Sequence, residues 1–91
     1  MELNNALGQA LKNARLRRGF TQEDFGAISS RTYISALERG IRAVTVNKLT
    51  AIAKAMDVHP LSILIEGYIL QSGESLDEIL ERIRAELAET P

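Results

Sequence analysis

Two neighbouring stretches decide the fold, residues 21–25, Thr-Gln-Glu-Asp-Phe, and residues 31–40, Arg-Thr-Tyr-Ile-Ser-Ala-Leu-Glu-Arg-Gly. Thr21 opens the first stretch and Ser30 directly precedes the second, and both are residues that can cap a helix. Gly40 stands at the end of the second stretch, where a glycine commonly stops a helix. The pattern therefore predicts two short helices joined by a tight polar turn.

Upstream of this pair, apolar residues at spacings of three and four predict a first helix. Asn4 or Asn5 can cap its start, and Gly19 stands where it should end. Its apolar stripe consists of Leu7, Ala10, Leu11 and Ala14, with Leu16 as a further candidate.

Downstream, three more helices are predicted by caps and apolar spacing. Thr45 caps the first of them, and Pro60 suits the first position of the next, which runs toward Leu70. A capping box at Ser75 opens the last, at about 74–89. Since no strand-like alternation is present, we expect an all-α domain at 1–70 with a C-terminal amphipathic helix at 74–89. The helix after Thr45 should turn inward Val46, Leu49, Ile52, Ala53 and Met56.

Charge is distributed unevenly along the chain. The net charge is −1, yet residues 1–48 carry eight Lys or Arg against four acids, a net charge of +4. Residues 49–91 carry three Lys or Arg against eight acids, a net charge of −5. A basic half suits phosphate contact, and the acidic half should then face away from a nucleic acid. Chance segregation of solvated charge is the alternative.

Composition argues against several classes of protein. There is no cysteine for disulfides or thiolate metal sites, and the single histidine, His59, cannot form a metal site alone. No apolar run reaches the roughly 18 residues of a membrane span, and the segment after Met1 is unlike a secretion signal. No Ser/His/Asp set and no glycine-rich phosphate loop is present. We therefore expect a cytoplasmic protein that is not an enzyme and uses no cofactor, metal or small-molecule ligand.

The two central motifs resemble the DNA-binding helix-turn-helix of the lambdoid phage repressor and Cro-like proteins, the XRE family. In that family Thr-Gln-Glu opens the supporting helix, as at residues 21–23, and Tyr-Ile-Ser-x-Leu-Glu-Arg-Gly closes the recognition helix, as at residues 33–40. The resemblance extends from about Leu7 to Leu64. It implies a five-helix lambda-repressor-like domain, followed here by a sixth helix. It also implies a sequence-specific transcription regulator of double-stranded DNA, most simply a repressor.

The resemblance places the outer face of the helix at about 31–39 in the major groove. Family residues at the start of this helix and one turn later touch bases, which assigns that role to Arg31, Thr32 and Ala36. The arginine fork fits O6 and N7 of guanine, and a plain phosphate contact at the helix start is the alternative. The expected DNA contacts are Gln22, Ser30, Arg31, Thr32, Tyr33, Ser35, Ala36, Arg39 and Arg42.

Other positions take supporting roles by the same resemblance. The glutamine that matches Gln22 contacts the DNA backbone and braces the start of the recognition helix. Arg39 and Arg42 are expected to reach the sugar-phosphate backbone. Arg15 and Glu38 match positions that form an internal ion pair between the first and third helices, so we interpret Glu38 as structural rather than catalytic.

The turn departs from the family pattern. Typical members carry about two more residues between the motifs, usually with a glycine and a valine in the turn, whereas residues 26–31 here read Gly-Ala-Ile-Ser-Ser-Arg. We therefore expect the second helix to lose its last half-turn, or the turn to be tighter. Either change would alter the tilt of the recognition helix.

Dimerisation is also expected. A single helix-turn-helix touches too few base pairs for tight selective binding, so such proteins usually dimerise on a pseudo-palindrome. Residues 61–70 and the last helix carry more apolar side chains than one small domain should bury, although such a stripe can also pack on its own subunit. We expect a homodimer with Ile65, Ile69, Leu76 and Ile83 as candidate anchors.

Two further interpretations stay open. An antitoxin or a restriction–modification controller would bind an operator with this fold. A protein-interaction module would keep the fold without contacting DNA, which the overall acidity and the unusual turn favour. A steep salt dependence of duplex binding would separate DNA binders from such a module, because only phosphate neutralisation releases counterions.

Overall fold

A computed structural model describes all residues, 1–91, and confirms the predicted all-α fold. Five α-helices and one turn of 3₁₀ helix, with no strand, make up the chain. Their bounds are α1 (Leu3–Arg17), η1 (Gln22–Phe25), α2 (Arg31–Glu38), α3 (Val46–Ala55), α4 (Pro60–Ser72) and α5 (Leu76–Leu87). None of these helices combines the length and the apolar character that a membrane crossing requires.

The predicted caps determine where most helices begin. The hydroxyls of Ser30, Thr45 and Ser75 each accept a hydrogen bond, at 3.1 Å, from the backbone amide three residues further on. Pro60 is the first residue of α4, and Gly73 ends that helix with a left-handed φ of 79°. Local capping chemistry therefore sets the ends of α2 to α5 close to the predicted positions.

Two local predictions were wrong. The cap of α1 is Glu2, whose carboxylate accepts hydrogen bonds from the backbone amides of Asn4 and Asn5. The helix therefore begins at Leu3, before the start that a cap at either asparagine would give. Val46 does not face the core, because its side chain is 78% exposed. It is the first residue of α3, and Leu49, one turn later, is the first that the core covers.

The predicted second helix is reduced to a single 3₁₀ turn, which is a greater shortening than the expected loss of half a turn. Gln22–Phe25 form a single 3₁₀ turn, after which the Ile28 amide donates to the Phe25 carbonyl at 2.8 Å. The Thr21 amide donates to the Asp24 carboxylate at 2.7 Å and fixes the start of the turn. Phe25 is nevertheless buried, so η1 still packs against the core.

One apolar core joins the first four helices and η1. Helix α1 packs most extensively on α4 and also crosses α2 at Gly8, where an added Cβ would lie 2.6 Å from the carbonyl oxygen of Glu38. A glycine is therefore needed for α1 to approach the end of α2 so closely. The largest fully buried side chains are Phe25, Ile34, Ile52, Met56 and Ile63.

Helix α5 extends the molecule beyond this core. None of its residues is buried, and its main packing partner is α4. The molecule measures 42 × 25 × 23 Å with a radius of gyration of 13.9 Å, whereas a compact chain of this length has about 12 Å. The last helix therefore leaves much of its surface in solvent.

Candidate nucleic-acid interface

Helix α2 divides its side chains between the core and the solvent. Ile34 and Leu37 are buried and hold the helix in place. On the opposite side, Arg31 and Thr32 are exposed and Ser35 is half-buried. The major groove of B-DNA admits one α-helix, and a reading face needs donors and short side chains of this kind. A shallow polar depression on this face is lined by Arg31, Thr32, Ser35 and Arg39.

Arg31 is paired with an acidic residue of the preceding element. Its Nε lies 3.0 Å from Oε1 of Glu23, and the two side chains are 68% and 62% exposed. Surface ion pairs of this kind are worth about 0–1 kcal/mol. The pair therefore restrains the guanidinium at the start of α2 without removing it from solvent. Sequence reasoning treated Glu23 only as part of the family motif and missed this contact.

A buried ion pair joins α1 to the end of α2. Arg15 Nε donates to Glu38 Oε2 at 2.6 Å and Nη2 donates to Oε1 at 2.9 Å, with each residue 8% exposed. Arg15 Nη1 also donates to the Phe20 carbonyl at 3.0 Å. The hydrogen bond to Glu38 raises the pKa of Arg15 above its ordinary value. The charges therefore satisfy each other and fix the end of α2.

Gln22 belongs to the same polar cluster. Its Nε2 donates to Oε1 of Glu38 at 3.1 Å, so η1, α1 and α2 meet at one carboxylate. The side chain is only half-buried, which leaves part of it accessible to a ligand. The expected brace was at the start of the recognition helix, whereas the hydrogen bond of Gln22 is made to Glu38, the last residue of α2. No group of three or more His, Asp or Glu side chains that could hold a metal is present in residues 1–91.

Two cationic side chains lie close to the aromatic ring of Tyr33. The guanidinium carbon of Arg42 lies 5.5 Å from the ring centroid, and Nζ of Lys48 lies 5.7 Å from it. Lys48 Nζ also donates to the Ile28 carbonyl at 3.1 Å, which ties α3 to the turn before α2. The expected set of DNA contacts left Lys48 out, although its place three residues after the Thr45 cap brings it to this loop.

The remaining expected contacts lie on or beside α2. Ser30 uses its hydroxyl to accept the Tyr33 amide and therefore acts as the cap of the helix. Ala36 is half-buried, whereas Arg39 is exposed and donates from Nε to the Ser35 carbonyl at 3.4 Å. The structure thus brings the nine expected DNA contacts to α2, its two flanking turns and η1.

The four candidate dimer anchors belong to a different part of the fold. Ile65 and Ile69 lie on α4 and are half-buried. Leu76 and Ile83 lie on α5, with 48% and 39% of their surface exposed. None of the four belongs to α2, to η1 or to the turns beside them, so the two sets of residues occupy separate elements.

Comparison with known proteins finds relatives for most of the chain. The family described as HTH_3, helix-turn-helix, matches residues 11–63. A search of curated proteins finds no match.

Among solved structures, the clp gene regulator ClgR from Corynebacterium glutamicum is similar over most of both chains. One structure of it has a TM-score of 0.75 at 30% identity and covers 91% of this chain and 90% of its own. A second has a TM-score of 0.71 at 29% identity and covers 84% and 97%. The restriction-modification controller protein C.AhdI from Aeromonas hydrophila has a TM-score of 0.61 at 30% identity and covers 65% of this chain and 92% of its own.

Proposed function

The chain belongs to the XRE-type helix-turn-helix family of DNA-binding transcription regulators, and from this premise we propose that it is a repressor that binds a pseudo-palindromic operator as a homodimer. The observation that carries the proposal is the outer face of α2. Its polar depression is bordered by cations, while the opposite face is held in the core. Such a helix enters the major groove as a rigid unit.

Base readout is assigned to the first turn and a half of α2. The fork of Arg31 matches O6 and N7 of guanine, Thr32 can donate or accept, and Ala36 can pack on a thymine methyl group. Phosphate contact is assigned to cations and polar groups around that helix, because such contacts fix register without carrying sequence information. This second group comprises Gln22, Ser30, Tyr33, Ser35, Arg39 and Arg42, and we add Lys48, whose Nζ lies 5.7 Å from the centroid of the Tyr33 ring.

The homodimer is supported by the surface of α4 and α5. Helix α5 buries none of its own residues and leaves Leu76 and Ile83 exposed, and exposed apolar patches often mark protein–protein contacts. A second copy of this chain is the occupant that the function requires, since two half-sites must be held at a fixed spacing. Ile65 and Ile69 on α4 would continue that surface.

Repression follows most directly from occupancy. A dimer seated across a promoter blocks polymerase without any further contact surface. The similarity to C.AhdI favours a second candidate within the same class, a controller of a restriction–modification system, which would bind an operator through the same residues. The two candidates differ in the genes beside the operator and not in the chemistry of binding.

Selection of bound duplexes from a random pool tests the proposal. An inverted repeat should emerge, with half-sites about one helical turn apart, roughly 10 bp from centre to centre. The Arg31→Ala variant should lose about 1–3 kcal/mol on that site and relax one position in each half-site. Absence of any enriched sequence would refute specific DNA binding, and equal losses on specific and random DNA would reduce Arg31 to a phosphate contact.

Transcription in vitro from a promoter that overlaps the selected site tests the sign of regulation. Lower transcript yield in the presence of the protein is the expected result. A higher yield would refute repression and leave operator binding intact.

A further inference from the structure

Glu23 lies beside the recognition helix α2 and is not among the proposed DNA contacts. We propose that Glu23 is a specificity-determining residue, which positions the guanidinium of Arg31 for guanine and weakens binding to all other DNA. The inference rests on the proposed function, because it concerns the same helix in the same groove.

The geometry of the pair supports a positioning role. Glu23 lies in η1 and Arg31 is the first residue of α2, so the contact of 3.0 Å spans the turn between the two elements. The Nε–Oε1 contact is not an aligned hydrogen bond, and no N–H of Arg31 donates a hydrogen bond within the protein. The donors that would bind O6 and N7 of guanine therefore stay available while the charge is held in place.

Restraint of an arginine matters because its side chain is long. A free arginine loses much rotamer entropy when it is fixed against a base, and a partner that restrains it beforehand reduces that loss. The attraction also grows on binding, since displacement of water from the groove lowers the local dielectric constant. Desolvation of the two charges offsets much of this gain, so the benefit in the complex comes chiefly from the geometry in which the pair holds the guanidinium.

The carboxylate has an opposite effect on DNA that lacks the right base. A negative charge close to the phosphates repels every duplex equally, whatever its sequence. Specificity is the difference between the binding free energies for two DNA sequences. A residue that strengthens one base contact and also weakens general binding therefore increases specificity in two ways. Glu23 combines both effects at one position.

The Glu23→Gln variant tests the inference, because it removes the charge and keeps the size of the side chain. The measured quantity is the ratio of affinities for the selected site and for the same site with the Arg31 guanine replaced. We expect this ratio to fall by about two- to fivefold, while affinity for random duplex rises. A Glu89→Gln variant, which removes one exposed charge beyond α5, should change neither quantity.

The same substitution in an Arg31→Ala background distinguishes positioning from other roles. There, Glu23→Gln should leave the ratio unchanged, because no guanidinium is left to position. A fall in that background would overturn the inference and assign the base contact to Glu23 itself. An equal loss of discrimination at every position, which a general structural defect would cause, or an unchanged ratio in the single variant would also overturn it. A wild-type protein that selects no site would instead refute the proposed function.

Discussion

Replacement of Glu38 by glutamine leaves the Arg15 guanidinium buried without its charge partner. The two residues are each 8% exposed and are joined by contacts of 2.6 and 2.9 Å. Removal of one member of a buried pair typically costs about 3–5 kcal/mol. The Glu38→Gln variant keeps an amide oxygen, and Arg15 keeps its hydrogen bond to the Phe20 carbonyl. We therefore expect the free energy of unfolding to fall by about 3 kcal/mol, the lower end of that range.

Urea and thermal unfolding measure this loss directly. A small domain has a free energy of unfolding of roughly 5–15 kcal/mol, and each kcal/mol lowers the Tm by about 4–8 °C at this size. The Tm of Glu38→Gln should thus fall by roughly 12–24 °C. The matched control is Arg17→Gln, which breaks the pair between the exposed Arg17 and the half-buried Glu66 and should cost about 1 kcal/mol or less.

An apolar double replacement tests whether the loss comes from the unpaired charge. A buried pair can often be exchanged for apolar residues of similar volume without loss of stability. The free energy of unfolding of the double variant Arg15→Met with Glu38→Leu should therefore lie within about 1 kcal/mol of the wild-type value. A Glu38→Gln loss below about 1 kcal/mol, or a double variant as unstable as the sum of its single changes, would refute the reasoning.

Three further results are expected. Arg39→Ala or Arg42→Ala should weaken all duplexes alike and flatten the salt slope by about one unit per monomer, and an unchanged slope in both would exclude phosphate contact. Ile83→Glu should give a folded monomer with weak operator affinity in sedimentation and titration, whereas a wild type that is monomeric well above its DNA affinity would exclude the dimer. Gly8→Ala should lose about 1–3 kcal/mol in unfolding, because its Cβ would meet the end of α2. Gly26→Ala, which meets nothing closer than 3.4 Å, is the control, and equal losses would contradict this account.

Local chemistry made much of the fold predictable. Hydroxyls that cap helix starts act within three residues, so Ser30, Thr45 and Ser75 marked the starts of α2, α3 and α5 without knowledge of the core. Val46 shows the limit of periodicity. It lies on the apolar stripe of α3 but ahead of the point where that helix meets the core, and only the packed structure reveals that point.

Contacts between elements were harder to predict. The resemblance supplied the pairing of Arg15 with Glu38, yet nothing in the order of residues indicated that Gln22 would join it. The contact between Glu23 and Arg31 joins η1 to the start of α2, so it depends on how the turn between these two elements folds. The shortened turn was visible in the residue count, whereas its effect on neighbouring side chains is visible only in the folded structure.

The separation of α2 into a buried and an exposed side has a consequence for how the protein can change over time. Ile34, Leu37 and Glu38 maintain the fold, while Thr32 and Arg31 contribute nothing to the core. Exposed positions away from packing usually tolerate substitution within about 0.5 kcal/mol. Under the proposed base readout, mutations at these positions change the DNA sequence that is bound while the folding stays intact, so paralogues with different targets can arise from one scaffold by a few surface changes.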